Sequence, residues 1–367
     1  MGGAPHCCAI RIASQSGRVV SFTTMKVAML LLAAATACGS SGNSGTVDGP
    51  GGGGTDGNGS GSGSNYSRDG GMTDGNTQPV TRTIFVITME NESSTNIYGN
   101  TTYAPYINNT LIPMGAKATN FSDELPSSIP SEPHYVWMEA GTNTFSDKTF
   151  TTDSDASASN STNSTNHLVT KLKAAGVSWM SYQEGMTAGT CPISSIGNTF
   201  YAAKHDPFVF FQDVSGATPS SSNAYCIAHH KPYAAFAADL AAGNMASYVF
   251  ITPNLCNDMH GALGCPSSGG NGDIQNGDTW LMNEMPRILA YANAHNGVVY
   301  LTWDEGSATQ STAFVAFGPH INAGPIATAY THSSLVKSIA EQLGVTPPSV
   351  VSSANDFSDM FQTGYFQ

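Results

Sequence analysis

Beyond residue 80 the chain alternates short, almost uninterrupted apolar runs with longer segments of helical periodicity. The short runs are rich in valine, isoleucine and phenylalanine, which is typical of strands buried on both faces. They predict strands at 83–89, 116–121, 177–182, 248–252, 298–303 and 313–317. The periodic segments predict helices at 105–112, 133–140, 166–175, 233–242, 279–294 and 333–343. This alternation predicts the α/β class, with a mostly parallel sheet sandwiched between helices.

Acidic and amide side chains stand where several of the apolar runs stop. They are Glu90 and Asn91 after the first run, Asp258 and His260 shortly after the fourth, and Asp304 and Glu305 after the fifth. The carboxyl ends of parallel strands meet at one edge of a sheet, so we expect these side chains to converge. Carboxylates held together beside buried strands are unfavourable unless a cation neutralises them. The pattern therefore predicts a metal-centred site.

A serine stands at the predicted start of the helix over 133–140. In the run Pro-Ser-Glu-Pro-His-Tyr at 130–135, Ser131 occupies or adjoins the N-cap and Pro133 lies in the first turn, both favoured positions. Free backbone N–H groups and the helix dipole at this end suit a nucleophilic oxygen or a phosphate oxygen. A plain N-cap serine is the alternative interpretation.

The N-terminal region predicts export. From Met25 a single lysine, a short apolar stretch and small residues lead to Cys38, a pattern typical of a signal segment and too short for a membrane span. We expect residues 1–38 to be a signal or lipoprotein leader whose true start is Met25, with a lipid anchor at Cys38 and ordinary cleavage as the alternative. The product would be an anchored lipoprotein of the periplasm or cell surface.

The segment between the leader and the first strand is dominated by glycine, serine, asparagine and aspartate. Such a composition cannot bury enough apolar surface to order itself, so residues 39–80 are predicted to be a disordered tether. Residues 81–367 then form one catalytic domain. The formal net charge of −13 argues against nucleic acid as a partner, because phosphate-backbone binding needs a basic surface.

Four cysteines fall within the predicted catalytic domain, namely Cys191, Cys226, Cys256 and Cys265. An even number in an exported protein predicts disulfides. Of three possible pairings, the local one, Cys191 with Cys226 and Cys256 with Cys265, is preferred. A zinc–thiolate site is the alternative, although no Cys-x-x-Cys pair occurs among them.

Six short motifs in a fixed order carry a resemblance to a known family. They lie at 84–91, 130–135, 204–208, 251–260, 302–306 and 331–335. In this order they resemble the bacterial phosphoesterase family, which contains acid phosphatases and phospholipases C within the alkaline phosphatase superfamily. The resemblance covers roughly residues 82–345 and implies an alkaline-phosphatase-like fold.

The resemblance also implies roles for individual residues. Ser131 would be the nucleophile that becomes phosphorylated, and His205 a phosphate contact or general acid. Metal ligands would be Glu90, Asn91, Asp304 and Glu305, with Asp258, His260 and His332 in the chain order of a second metal site. With a single ion, Asn91, His205 and His332 would contact substrate and His260 would take part in catalysis. Mixed oxygen and imidazole ligands suit Mg, Mn, Ca or Zn, as one ion or two.

The sequence therefore predicts an exported, metal-dependent hydrolase of small-molecule or lipid phosphate esters, most simply an acid-phosphatase-like phosphomonoesterase. The alternatives are a phospholipase C-type phosphodiesterase and a surface lipoprotein that binds without turnover. A sulfatase is set aside because Tyr135 stands where the sulfatase signature has arginine. The histidines expected to be structural or surface groups are His134, His167, His229, His230, His295 and His320.

Overall fold

The computed structural model describes residues 82–367, so the predicted leader, Cys38 and the tether lie outside the described residues. The described strands are β1 (Ile84–Met89), β2 (Ala116–Ala118), β3 (Phe121–Ser122), β4 (Trp179–Gln183), β5 (His230–Pro232), β6 (Tyr248–Thr252), β7 (Val298–Trp303), β8 (Phe314–Phe317), β9 (Gly324–Ile326) and β10 (Tyr330–Thr331). The α-helices are α1 (Ser94–Ile97), α2 (Ile112–Met114), α3 (Ser131–Ala140), α4 (Leu168–Ala174), α5 (Gln212–Ser215), α6 (Ala224–His229), α7 (Phe236–Ala241), α8 (Asn271–Ala294) and α9 (His332–Gln342).

Eight strands form one mixed sheet in the order β5-β4-β6-β1-β7-β8-β2-β9. The five strands from β5 to β7 run parallel, and β8 is antiparallel to both of its neighbours. Strands β3 and β10 pair separately. The predicted mostly parallel α/β sheet is confirmed, with β1 at its centre between β6 and β7.

Both faces of the sheet are covered, which explains the uninterrupted apolar runs. On one face Ile84 and Val86 pack with side chains from α3, α4 and α9. On the other face Phe85 and Ile87 pack with α7 and α8. Successive side chains of a strand point to opposite faces, so a strand buried on both sides needs apolar residues at every position.

Several predicted boundaries were wrong. The strand expected at 116–121 is divided into β2 and β3, and α8 begins at Asn271 rather than at 279. The first turns of α8 contain asparagine, aspartate and two glycines, which are weak helix formers. They are helical because Ile274 and Gly277 are buried, the latter against Met259. Elements α6, β5, β9 and β10 were not predicted.

Candidate active site

The register of β1 and β7 brings two acidic loops together. Met89 is paired with Trp303, and the Asp304 N–H donates to the Met89 carbonyl at 3.0 Å, so Glu90 and Asp304 leave the sheet side by side. The Glu90 N–H donates to the carbonyl of Asp258, in the loop after β6, at 2.7 Å. Three strand ends therefore deliver buried carboxylates to one edge, as the sequence predicted.

Asn91 holds the two acidic loops in place. Its backbone N–H donates to Asp304 Oδ1 at 3.0 Å, and its φ of 49° lies in the left-handed region that asparagine tolerates better than most residues. With the side-chain nitrogen turned toward the carboxylates, it lies 3.2 Å from Glu90 Oε2 and 3.3 Å from both Asp304 Oδ1 and Glu305 Oε1. Three carboxylates thus surround the end of one amide.

Ser131 lies against this cluster. Pro130 is the N-cap of α3 and Ser131 is its first residue, so the serine adjoins the N-cap rather than occupying it. Its Oγ donates to Glu90 Oε2 at 3.1 Å and lies 3.5 Å from Glu305 Oε1. The residue is only 2% exposed. A hydroxyl at a helix start is therefore enclosed by carboxylates that can accept its proton.

A second set of ligand atoms lies on the other side of Glu90. Oxygen or nitrogen atoms of Glu90, His205 and Asp258 all fall within 4.8 Å of one another. His205 Nε2 is 3.3 Å from Glu90 Oε2, and Nδ1 is 3.5 Å from Asp258 Oδ2. The His205 ring stacks on Tyr135 at 5.0 Å between centroids, which fixes its orientation. Sequence reasoning gave His205 a phosphate-contact role rather than a place in this group.

Burial and mutual repulsion oppose ionisation of the carboxylates in this cluster. Burial and Asp258 raise the pKa of Glu90 well above its ordinary value, and burial together with Glu90 and Glu305 does the same for the pKa of Asp304. Burial raises the pKa of Glu305 to about 7. Burial, Lys204 and His260 lower the pKa of His205, which favours the neutral imidazole that metals bind.

The donor atoms present fit a divalent cation. Glu90 Oε1 and Asp258 Oδ2 are buried and have no hydrogen-bond partner within residues 82–367. Unpaired buried oxygens and crowded carboxylates are costly, and a cation removes both costs at once. Carboxylate and hydroxyl oxygens with one imidazole match the preferences of hard or borderline divalent ions, and Asn91 would join them by presenting its amide oxygen instead of its nitrogen.

His260 and His332 lie at different distances from this centre. The His260 ring is 6.0 Å from the His205 ring, and its Nδ1 lies 2.7 Å from the Gly261 carbonyl. The backbone N–H of His260 donates to Asp258 Oδ1 at 2.8 Å. His332 is fully buried behind β7, with Nε2 at 2.9 Å from the Trp303 carbonyl. The structure thus brings His260 to the edge of the cluster and sets His332 behind it.

His134 contacts the site, although the sequence assigned it a structural or surface role. It is buried, with Nδ1 at 3.3 Å from Asp123 Oδ1 and Nε2 at 3.7 Å from Glu305 Oε2. Burial alone would lower its pKa, but Asp123, Asp304 and Glu305 raise the pKa of His134 to about 9. The available signal was its position three residues after Ser131, which places both on one face of α3.

A cavity of about 420 Å³ opens beside Ser131. Its lining includes Asn91, Glu305 and the serines Ser127, Ser128 and Ser307. A cavity of this size lies within the usual range for small-molecule sites. Its hydroxyl-rich wall is suited to a polar leaving group.

Both preferred disulfide pairings are present. Cys191 is joined to Cys226, and Cys256 to Cys265. The second bond closes a loop that contains Asp258 and His260, so it limits the movement of two residues at the site. The zinc–thiolate alternative is therefore wrong for these four cysteines.

A buried serine at a helix start, next to a carboxylate cluster at the carboxyl edge of a parallel sheet, places this protein in the class of hydrolases that act on ester bonds. The sequence model of the Phosphoesterase family matches residues 116–310. The chain belongs to the phosphoesterase family and is a phosphoric ester hydrolase. The predicted family and enzyme class are confirmed.

Curated relatives carry phosphatase names. The chain is 26% identical over 280 residues to phosphatidylinositol-3-phosphatase of Mycobacterium tuberculosis, an alignment that covers 76% of this chain and 82% of that protein. It is 27% identical to the phosphate-repressible acid phosphatase of Penicillium chrysogenum, covering 59% of this chain, and 25% identical to an acid phosphatase of Aspergillus fumigatus, covering 64%. Both alignments span 50% of the fungal proteins.

Two solved structures are similar to this chain at low sequence identity. A protein in the alkaline phosphatase superfamily from Vibrio parahaemolyticus superimposes with a TM-score of 0.48 and 9% identity, covering 74% of this chain and 70% of that one. The lipoteichoic acid synthase LtaP from Listeria monocytogenes superimposes with a TM-score of 0.47 and 11% identity, covering 78% of this chain and 76% of that one.

Proposed function

We propose that this protein is an exported, divalent-metal-dependent phosphomonoesterase in which Ser131 forms a phosphoserine intermediate. The observation that carries the proposal is the position of Ser131 Oγ, at the start of α3 and 3.1 Å from Glu90 Oε2. Membership of the phosphoesterase family and the phosphatase names of the relatives support the same reaction.

The proposed metal ligands divide into two groups that share Glu90. Asn91, Ser131, Asp304 and Glu305 surround one position, and His205 with Asp258 surrounds the other. A bound ion would lower the pKa of the serine hydroxyl and offset negative charge on the phosphate oxygens. Metal analysis distinguishes one bound ion from two, and His332 Nε2 lies 2.9 Å from the carbonyl of Trp303, the residue before Asp304.

The residues of the chain account for the proton transfers. In the first step Ser131 Oγ bonds to phosphorus while the bond from phosphorus to the alcohol oxygen breaks. Glu90 Oε2 is placed to accept the serine proton, and His260, at the partly open edge, is placed to protonate the departing alcohol. In the second step His260 takes a proton from the attacking water, and the water oxygen bonds to phosphorus while the bond from phosphorus to Ser131 Oγ breaks. Glu90 returns a proton to Ser131, and inorganic phosphate leaves.

Replacement of Ser131 by alanine tests the nucleophile. We expect release of p-nitrophenol from p-nitrophenyl phosphate to fall by at least about 10⁴-fold. Ser333→Ala is the matched control, because Ser333 lies in the first turn of α9 and its Oγ accepts a bond from Trp137 Nε1. Acid-quenched wild-type protein should carry a phosphate on the peptide that contains Ser131. Full activity of Ser131→Ala would refute the mechanism.

Metal dependence and substrate class need separate measurements. A chelator should abolish phosphate release, and add-back of Mg, Mn, Ca or Zn identifies the ion that restores it. Activity that persists in metal-free protein contradicts the proposal. Rates on bis(p-nitrophenyl) phosphate test the phosphodiesterase alternative, and a phosphoinositide monophosphate tests the substrate class in the name of the mycobacterial relative.

Export and anchoring are also proposed. The leader and Cys38 lie outside the described residues, and support comes from the two disulfides, which favour an oxidising compartment. No helix within residues 82–367 has the length and apolar character needed to cross a membrane. Mass spectrometry of the mature N-terminus would distinguish a lipidated Cys38 from ordinary cleavage, and Cys38→Ala should release the protein from membranes if it is lipidated.

A further inference from the structure

Lys204 and Asp153 form an ion pair at the edge of the carboxylate cluster. Lys204 directly precedes His205, and Asp153 belongs to the loop that follows α3. Their side chains are 22% and 28% exposed, so the pair lies near the surface of the site rather than within the core. Neither residue has a role in the mechanism above.

The Asp153 carboxylate joins two groups of the kind that commonly bind phosphate oxygens. One oxygen pairs with the Lys204 ammonium, and Oδ1 accepts the backbone N–H of Glu132, next to Ser131, at 2.9 Å. An ammonium and an N–H at a helix start are typical partners of phosphate oxygens. Asp153 therefore makes, within the chain, contacts that a substrate phosphate could make.

The loop that carries Asp153 is held by a second acidic residue. Glu132 Oε2 accepts the Ser154 N–H at 2.6 Å, and Glu132 Oε1 accepts the Asn160 side-chain N–H at 3.0 Å. These bonds tie both ends of the segment 154–160 to the first turn of α3. The position of the Asp153 carboxylate is therefore fixed relative to Ser131.

The charge of Lys204 acts on carboxylates of the site, two of which, Glu90 and Glu305, contact Ser131. Burial raises the pKa values of Glu90, Asp258 and Glu305, and Lys204 opposes the increase at all three. Three other cationic side chains are engaged away from this cluster. Arg82 donates to the Tyr365 and Phe366 carbonyls, Lys231 pairs with Asp239, and Arg287 pairs with Glu284.

We propose that Lys204 recognises the second negative charge of a phosphate monoester and that Asp153 competes with the substrate for this ammonium. A monoester carries close to two negative charges at neutral pH, whereas a diester carries one. The dianion gains more from Lys204 and is better able to draw its ammonium away from the fixed Asp153 carboxylate. The pair would thus favour monoesters over diesters at the active site, an inference that rests on the proposed function.

The test compares Lys204→Met, Lys204→Arg and Asp153→Asn in the metal-loaded full chain. Lys231→Met is the matched control, since it breaks a lysine–aspartate pair on the edge strand β5. Asparagine keeps an oxygen that can accept the Glu132 N–H, so the start of α3 is preserved. Two quantities are measured: the affinity for inorganic phosphate by calorimetry, and kcat/KM on p-nitrophenyl phosphate and bis(p-nitrophenyl) phosphate.

Lys204→Met should weaken phosphate binding and lower monoester kcat/KM by about 10- to 100-fold, the range for a hydrogen bond to a charged group. The diester rate should change by less than about threefold, because a monoanion gains less from the ammonium. Lys204→Arg should retain most of the monoester preference. Asp153→Asn should tighten phosphate binding by about 3- to 10-fold, since the competing charge is gone.

Equal losses on the two substrates, or phosphate affinity in Lys204→Met within twofold of wild type, would overturn the inference. Weaker phosphate binding in Asp153→Asn would show that Asp153 is not a competitor. If Lys204→Met does not fold, Asp153→Asn still decides between these outcomes. Phosphate affinity needs no turnover, so Lys204-dependent binding in a protein that releases no phosphate from monoesters would contradict the proposed function and leave this inference standing.

Discussion

His167 is the centre of a buried ionic network, and its replacement by glutamine should destabilise the protein strongly. Its Nδ1 lies 2.8 Å from Glu139 Oε1 and its Nε2 lies 3.0 Å from Asp213 Oδ1. The ring is fully buried and stacks on Phe211 at 3.9 Å between centroids. Because Glu139 lies in α3, His167 caps α4 and Asp213 lies in α5, one side chain joins three helices.

The size of the expected stability loss follows from the two hydrogen bonds that His167 makes to Glu139 and Asp213. Removal of one partner from a buried pair costs about 3–5 kcal/mol, because a charge is left without compensation. The Asp213 side chain is 23% exposed, so solvent screens its part of the network and the lower end applies. We expect His167→Gln to lower the free energy of unfolding by about 3 kcal/mol near pH 6.

The loss should depend on pH. Burial alone would lower the pKa of His167, but hydrogen bonds to Asp213 and Glu139 raise it above its ordinary value. A histidine whose pKa is raised in the folded protein stabilises it fully below the unfolded pKa of about 6.5. That stability is lost as pH rises through the folded pKa. The difference in free energy of unfolding between wild type and His167→Gln should therefore narrow as the pH rises above about 6.5.

Urea unfolding followed by circular dichroism at several pH values measures this difference. His295→Gln is the control, because His295 is exposed at the end of α8 and should cost less than about 0.5 kcal/mol. The folded His167→Gln protein should keep its activity on p-nitrophenyl phosphate. A loss below about 1 kcal/mol at pH 6, or a difference that widens as pH rises, would refute the ionic account of the network.

Three further substitutions test other parts of the structure. The double change Cys256→Ser and Cys265→Ser opens a loop of sequence separation 9 and should lower the free energy of urea unfolding by roughly 2–3 kcal/mol; an unchanged unfolding midpoint contradicts this. Arg82→Gln loses two bonds to C-terminal carbonyls and should cost about 1–3 kcal/mol, with faster C-terminal proteolysis; equal proteolysis argues against it. Gly115→Ala places a methyl group 2.5 Å from Val315 Cγ1, so it should lower the free energy of unfolding by about 1–3 kcal/mol. The measurement is a lower melting temperature.

The central strands were predictable from local sequence. The predicted strands 248–252 and 298–303 agree with β6 and β7, and 83–89 differs from β1 by one residue. Each is an apolar run buried on both faces, so nearly every position carries the signal. The edge strands β9 and β10 have two or three residues and partly exposed positions, and a sequence so short carries too little pattern to be found.

The expectation that acidic residues gather at one edge also came from local sequence, because strand ends were visible in the hydrophobic pattern. The side chains that contact these acidic residues were not predictable from local sequence. Ser131 lies against Glu90 because α3 packs on the same face as Ile84 and Val86, and nothing near Ser131 in the chain specifies that contact. His205 also meets Glu90 and Asp258 only through the packing of the folded chain, and nothing near His205 in the sequence specifies that contact.

His134 and Lys204 show most clearly what local sequence does not predict about a side chain's environment. In the sequence, His134 resembles any polar residue in the first turn of a helix, and Lys204 begins one of the six motifs without an assigned role. In the folded chain, His134 is 1% exposed against Asp123, and Lys204 pairs with Asp153, whose other oxygen binds the start of α3. Periodicity reports which face of an element is apolar. The charge environment of a side chain is set by groups distant in sequence, and these approach one another only when the sheet and its helices have packed.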